Sequence, residues 1–401
     1  FNLLKSAPNL SLTCLVNQHM SVDAMTSKER MAKTMSLEVP DRVPVMCQMS
    51  IGHMLLQTGI RPLDFWFAKE ALAEGLLEMR DIYNFDGILI SLHGHSPVWM
   101  KDIDRIQSEG DKEIIIWQNG DRTVFPKDDL PQHYLAEKKY PPQITEFDPD
   151  SLPSEIDFIP VTQGLDFQVD LNHTYDIFNL INEKVGDSFS IHGEVTSPFD
   201  YYLHLFGIKN AMINLIEEPT KSKDILQRYT DGIKKIAIGQ VEHSVDAIKL
   251  SSPYAGANFI SLQFYREFVL PYEGQIIQEI RSRNVHAYLH TCGAINDRLE
   301  LMAESGASGI ECLDPPPLGN VSLEEAKKRI GDRMFIKGNV DPVNTLLHGN
   351  LEEVGKDASD RIAVGKQGRG FILSTACSIA PCTKRENIQF LARLVDEYGQ
   401  Y

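Results

Sequence analysis

Little in this sequence points to a secreted scaffold, a membrane segment or a nucleic-acid surface. Six cysteines in 401 residues (Cys14, Cys47, Cys292, Cys312, Cys377, Cys382) are too sparse for a disulfide framework. Each is therefore core filler, a metal ligand or a reactive thiol, and reduced, cytoplasmic chemistry is the expectation. No run of ~18 apolar residues occurs, so no membrane span is expected. Basic residues are also short: 39 Lys and Arg against 56 Asp and Glu leave a net charge of −17. A phosphate backbone needs a basic face, so a nucleic-acid partner is disfavoured. Residues 1–24 lack the h-region and cleavage site of a secretory signal and read as a leader or flexible tail, with regular patterning starting near Met25.

What is present is an alternation of short apolar runs with helical periodicity. Arg42–Cys47, Gly87–Ser91, Ser188–Gly193, Ala247–Ser251, His286–His290, Gly309–Leu313, Met334–Gly338 and Phe371–Thr375 read as eight strands buried on both faces. Segments such as 66–83 and 220–242 read as crossover helices. Eight βα units predict an α/β (β/α)₈ TIM barrel over residues 25–401, taken as a single domain. Glu113–Trp117, Gln118-Asn119-Gly120-Asp121 and Arg122–Phe125 form a β-hairpin signal. With the Pro-rich segment that follows, it predicts an insertion at about 95–165 between the second and third βα units, over the catalytic face.

In a barrel, reactive groups gather at the carboxyl ends of the strands. Glu194, Ser251, Ser252, His290, Cys292, Cys312, Asn339, Asp341 and Cys377 all fall there. His290-Thr291-Cys292 at a strand end puts an imidazole and a thiol on one side, and Cys377 ends another strand. One imidazole and two thiolates suit Zn²⁺ and leave a coordination position open, as catalytic zinc sites do. A His-x-Cys pair by itself is a weak signal, because buried cysteines are usually packing residues. Cys312 and Cys382 compete for the third ligand; Cys382 lies five residues into a loop and Cys312 reads as core. Cys14 and Cys47 read as packing. Glu194 is a candidate oxygen ligand or acid, or else a hydrogen-bonded loop carboxylate. Asp86, Tyr254, Asn258, His93 and His95 are candidates for the substrate-lining mouth, with capping or solvated roles as the alternative.

His290-Thr291-Cys292-Gly293, Lys337-Gly338-Asn339-Val340-Asp341-Pro342, Ile372-Leu373-Ser374-Thr375-Ala376-Cys377 and Arg385-Glu386-Asn387-Ile388 resemble the uroporphyrinogen decarboxylase superfamily. Glu38-Val39-Pro40-Asp41-Arg42-Val43-Pro44-Val45 fits the family's entry segment. Within the superfamily the chain is similar to the corrinoid-linked, zinc-dependent methyltransferase branch, which includes methylcobamide:coenzyme M methyltransferases. The decarboxylases place an arginine motif after the first strand to hold a polycarboxylate, but here Met46 to Met54 contains no arginine. Their Gly-His-Gly after the last strand is replaced by Thr375-Ala376-Cys377.

The resemblance implies zinc held by His290, Cys292 and Cys377; beside it, Glu194 and Asn339 are the catalytic candidates and Ser252, Tyr254, Asp86 and His93 the substrate-binding ones. It implies methyl transfer between a small molecule (a methoxy, methylamine or methylthio compound, or a thiol) and a corrinoid cobalt. No Asp-x-His-x-x-Gly loop for cobalt occurs, so the corrinoid (cobalamin) is expected on a separate partner protein. A homodimer is the oligomer considered. The rival readings are uroporphyrinogen decarboxylase itself and a non-catalytic barrel binding protein.

Overall fold

The computed structural model describes residues 25–401; the leader expected at 1–24, with Cys14, lies outside them. A capping box starts the first helix, Ser27–Met35: the Thr26 hydroxyl accepts from Glu29 N at 3.1 Å and the Glu29 carboxylate accepts from Thr26 N at 2.8 Å. Seven parallel strands follow in one curled sheet. They are β1 Gly87–Ile90, β2 Ser190–Thr196, β3 Ala247–Ser251, β4 His286–Thr291, β5 Gly309–Cys312, β6 Phe335–Val340 and β7 Phe371–Thr375, paired in chain order.

The expected strand at 42–47 is not a regular member of this sheet. Its backbone is extended and reaches both edges: Met46 N donates to Leu373 O at 3.0 Å, Leu373 N to Pro44 O at 2.8 Å, and Asp86 N to Val45 O at 2.8 Å. A continuous ladder fails because Pro44 has no N–H and Val45 N donates to the Asp86 carboxylate at 2.8 Å. The helix expected over 66–83 is also broken. Ala68 is extended, separating Pro62–Phe67 from Lys69–Tyr83.

The sheet's inner face is layered. Met46, Leu89, Ala247, Tyr288, Phe335 and Ile372 fill the amino-terminal end, and Met31 and Met35 of the first helix plug it. Full burial of each methionine contributes about 1.5–3 kcal/mol. Above this layer, register sets side chains abreast: Glu194 pairs with Lys249, Lys249 with Tyr288, His290 with Glu311, and Glu311 with Lys337. A slip of one residue would turn this row towards the helices.

Between β1 and β2 the chain leaves the parallel pattern. Ile103–Glu109, Lys112–Trp117, Arg122–Phe125 and Gln132–Tyr134 form an antiparallel sheet, and Phe158–Thr162 pairs with Leu165–Gln168. The Asn-Gly turn is where the sequence places it, with Ile116 opposite Arg122 and Gly120 at φ 86. Ile115 and Phe125 on one face join the main core, Ile114 and Val124 on the other face are buried too, and Phe67 stacks on Trp99 with centroids 4.2 Å apart.

Candidate active site

β4 and β5 build the centre of the site. His290 points inward from β4, and its Nδ1 lies 3.1 Å from Glu311 Oε2 on β5. That contact assigns the proton to Nδ1 and leaves Nε2 facing Cys292 Sγ at 3.4 Å. Cys292 Sγ is in turn 4.0 Å from Cys377 Sγ, beyond the end of β7. Three of the expected residues thus converge.

Cys312 joins them, which corrects its reading as core alone. It is buried, yet donor atoms of His290, Cys292 and Cys312 all lie within 4.8 Å of one another. Strand alternation would send Cys312 outward, opposite to Glu311. The backbone instead turns left-handed at Cys312 (φ 85) and Leu313 (φ 50), which ends the alternation. No sequence period signals such a bend. Cys382 is exposed, and Cys47 sits in a wall where burial pushes its thiol up to about 11.

Beneath the thiols lies a charged layer that the sequence reading missed. Lys337 pairs with Glu311 Oε1; Lys249 Nζ is 3.8 Å from Glu311 Oε2 and 2.9 Å from Glu194 Oε1, and it donates to Gln48 Oε1 at 3.0 Å. Lys249, Lys337 and Glu311 are essentially inaccessible to water. Burial opposes the Glu311 charge, but the two ammonium groups outweigh it and hold the carboxyl well below its ordinary range. Burial likewise opposes Lys249, and Glu194 and Glu311 keep its affinity for the proton above the usual. In the sequence these lysines lie within apolar strand runs, where nothing distinguishes them from snorkelling residues.

A cavity of about 620 Å³ opens above, walled by Cys292, Glu194, Ser251, Tyr254, Phe259 and Asp200, among others. Asp129, Leu130 and residues 159–163 from the segment between β1 and β2 border it too. Glu194 and Tyr254 are therefore where the sequence placed them. Six others are not. Asp86 lies at the opposite, amino-terminal end of β1, where its carboxylate binds Arg30 at 2.7 Å, Arg42 at 3.0 Å and Ser27 at 2.8 Å. Asn339 is buried with its amide occupied, donating to Leu313 O at 2.8 Å and accepting from Arg361. Ser252 is fully buried off the cavity, beside Glu273, while its neighbour Ser251 faces in. His93 is buried against Phe178, where loss of water pushes its pKa down to about 4, and His95 packs on Phe167. Asn258 accepts from Ala294 N at 2.7 Å and orders the loop after Cys292.

Asp200 was not singled out from sequence. Ser197-Pro198-Phe199-Asp200 reads as a helix cap, and the Ser197 hydroxyl does lie against the Asp200 carboxylate at 2.5 Å. Burial nevertheless raises Asp200 to about 7, so near neutral pH it can hold or give up a proton at the cavity wall. Glu273, behind Ser252, is raised to about 7 by burial as well. Its folded pKa exceeds its unfolded one, so its stabilising contribution is complete below about 4.5 and is lost as pH rises through 7. Glu273→Gln is expected to gain on the wild type, by on the order of 2–3 kcal/mol, between pH 4.5 and pH 8. Melting temperatures measured across that interval test this; a pH-independent difference contradicts it.

The donor set fits a zinc ion. A tetrahedral ion with Zn–S near ~2.3 Å and Zn–N near ~2.0 Å separates its ligand atoms by roughly 3.5–3.8 Å. The spacings of 3.4 and 4.0 Å bracket that value, and a carboxylate behind the imidazole is the usual support of a metal-bound histidine.

An α/β fold with a curled parallel sheet and a thiol-rich cluster at the strand ends is the class defined here. The uroporphyrinogen decarboxylase (URO-D) family model matches residues 141–398, and the chain belongs to that family. It is 29% identical over 223 residues, 56% of this chain, to the methylcobamide:CoM methyltransferase MtaA of Methanosarcina barkeri. It is 27% identical over 243 residues, 58% of this chain, to the uroporphyrinogen decarboxylase of Chlorobaculum parvum. The matches span 62% and 66% of those relatives' lengths. A solved methyltransferase from Methanosarcina mazei shares the fold with a TM-score of 0.72 at 21% identity, covering 93% of this chain and 99% of its own. No helix among the described residues is long and apolar enough to cross a membrane.

Proposed function

We propose that this chain is a zinc-dependent methyltransferase that moves a methyl group between a small molecule and the cobalt of a corrinoid carried on a separate protein. The observation that carries this reading is the His290–Cys292–Cys377 cluster opening through Cys292 onto a cavity. In this reading the curled sheet, its edges bridged by 42–47, is a (β/α)₈ barrel, and residues 25–401 act as one unit with an inserted segment at 95–165. The similarity to methylcobamide:CoM methyltransferases supports the same chemistry.

His290, Cys292 and Cys377 would hold the ion, since Cys292 on the cavity wall and its neighbour Cys377 are partly exposed whereas Cys312 is buried. When bound, zinc supplies a Lewis acid that withdraws charge from a substrate sulfur or oxygen and keeps a thiol deprotonated. Glu311 fixes the His290 proton on Nδ1, so that Nε2 is available as a donor. Glu194, oriented by Lys249, presents a second oxygen with no protein partner towards the site. Asp200 can hand its proton to a heteroatom from which a methyl group departs. The apolar wall excludes water, and the corrinoid protein would dock where residues 129–130 and 159–163 rim the cavity. Five free thiols among the described residues agree with a reducing, cytoplasmic setting.

Porphyrinogen decarboxylation is not favoured. A polycarboxylate needs unengaged arginine forks, and the basic side chains on the wall are already paired: Arg80 with Asp81 and Phe85 O, His204 with Asp166 at 2.8 Å. The test is methyl transfer with zinc-loaded protein and free cobalamin, followed by the absorbance of the cobalt centre across methyl ethers, methyl sulfides, methylamines and thiols. No change with any of them would sink the assignment.

A further inference from the structure

The character of the cavity narrows the small molecule, and this step rests on the methyl-transfer reading above. Most of the wall is hydrocarbon: Leu72, Leu76, Leu89, Leu92, Leu130 and Leu203 face into about 620 Å³. Tyr254 and Phe259 meet edge to face at the cavity, with centroids 5.0 Å apart and rings inclined at 81°. Tyr254 shares the cavity wall with Cys292 and Asp200, so this aromatic corner and the thiol cluster open onto the same space.

The charges point the same way. The ionisable acids on the wall are Asp129, Glu194 and Asp200, and its two basic side chains are the paired Arg80 and His204. Lys249 lies below Glu194, spent on Glu194 and Glu311. An anionic head such as a sulfonate would therefore surrender its water without a cation to receive it. A permanent cation would have to leave water for a mainly apolar wall whose clearest free charge, Glu194, is already neutralised by Lys249. An uncharged body loses nothing by entering, and each Å² of apolar surface buried contributes about 25 cal/mol.

We infer that the site takes an uncharged methyl ether or methyl thioether with an aromatic or other apolar body, seated against Tyr254 and Phe259, rather than an anionic thiol. This differs in substrate charge from a coenzyme M acceptor, whose sulfonate the wall does not match.

Calorimetric titration of the zinc-loaded chain with 1,2-dimethoxybenzene, methylthiobenzene and 2-mercaptoethanesulfonate tests it. The first two separate oxygen from sulfur donors. At least one neutral probe is expected to bind about tenfold or more tighter than the sulfonate, in line with stacking and apolar burial. Phe259→Ala, at a partly exposed position that should not disturb folding, and Tyr254→Ala are expected to weaken that probe about fivefold or more with zinc content unchanged. Equal or tighter binding of the sulfonate, absence of binding by both neutral probes, or indifference to both substitutions would overturn the inference. Neutral binding without transfer to cobalamin would uphold the substrate class and remove the methyltransferase reading instead.

Discussion

Cys377→Ser and Cys292→Ser are each expected to cut bound zinc from about one equivalent to about a tenth or less and to abolish methyl transfer, because each removes one of three anchoring donors. Cys312→Ser is expected to keep the metal. The contrast follows from position. Cys292 forms part of the cavity wall and lies 3.4 Å from His290 Nε2 and 4.0 Å from Cys377 Sγ. Cys312 approaches the same atoms from the buried side, on a left-handed turn of backbone. Three ligands leave a position for substrate; a fourth from Cys312 would close the site into the Cys₃His arrangement typical of structural zinc. Metal analysis of the three purified variants decides between them. Loss of zinc in Cys312→Ser, or full retention in Cys377→Ser, would overturn the ligand set and with it the substrate-accessible metal.

The second large effect is expected at Glu311, which touches no cavity. Glu311→Gln keeps the shape but removes the charge that Lys337 and Lys249 share, and it leaves one amide oxygen where two carboxylate oxygens now serve Lys337 and His290. Lys249 retains Glu194 as a partner, whereas Lys337 is left buried with none of its present carboxylate. Removing one member of a buried pair costs about 3–5 kcal/mol, and loss of the carboxylate behind a metal-bound histidine costs about 10–100-fold in metal affinity. A lowered melting temperature in the metal-free protein, together with weakened zinc binding in chelator competition, is the expected outcome. The double variant Glu311→Met with Lys337→Met separates the two contributions. It should recover stability, since no lone charge remains, but not zinc affinity, since Nδ1 has lost its acceptor. Recovery of both would mean that the pair is structural and positions nothing.

Which parts of this molecule could be read from the chain alone follows from the range of the forces involved. Strand runs such as Ala247–Ser251 and Phe371–Thr375 coincide with the observed strands, because burial on both faces writes itself as consecutive apolar residues. The Asn-Gly turn was legible because backbone at positive φ restricts residue choice locally. The 42–47 segment has the composition of a strand. Its failure to become a regular strand depends on Pro44 and on a carboxylate 41 positions further along the chain. Asp86 and His93 carry the right chemistry in the wrong place. Asp86 directly precedes β1 and so falls at the amino-terminal end of the sheet, bound to Arg30 and Arg42, while His93, past the other end of β1, has its ring buried against Phe178.

The sparse cysteines mark the same boundary. By itself the sequence showed that six thiols are too sparse for a scaffold, that His290-x-Cys292 at a strand end could share a metal ion with Cys377, and that the acidic balance weighs against nucleic acid. Those conclusions rest on composition and on the two-residue period of extended chain. Tertiary structure alone decided that Cys312 meets the cluster, that two buried lysines hold Glu311 charged behind His290, and that Asp200 and Tyr254 share an apolar cavity with Cys292. Each of those contacts joins residues from different strands, and their proximity is created by sheet register and by a backbone bend that no local pattern of residues encodes.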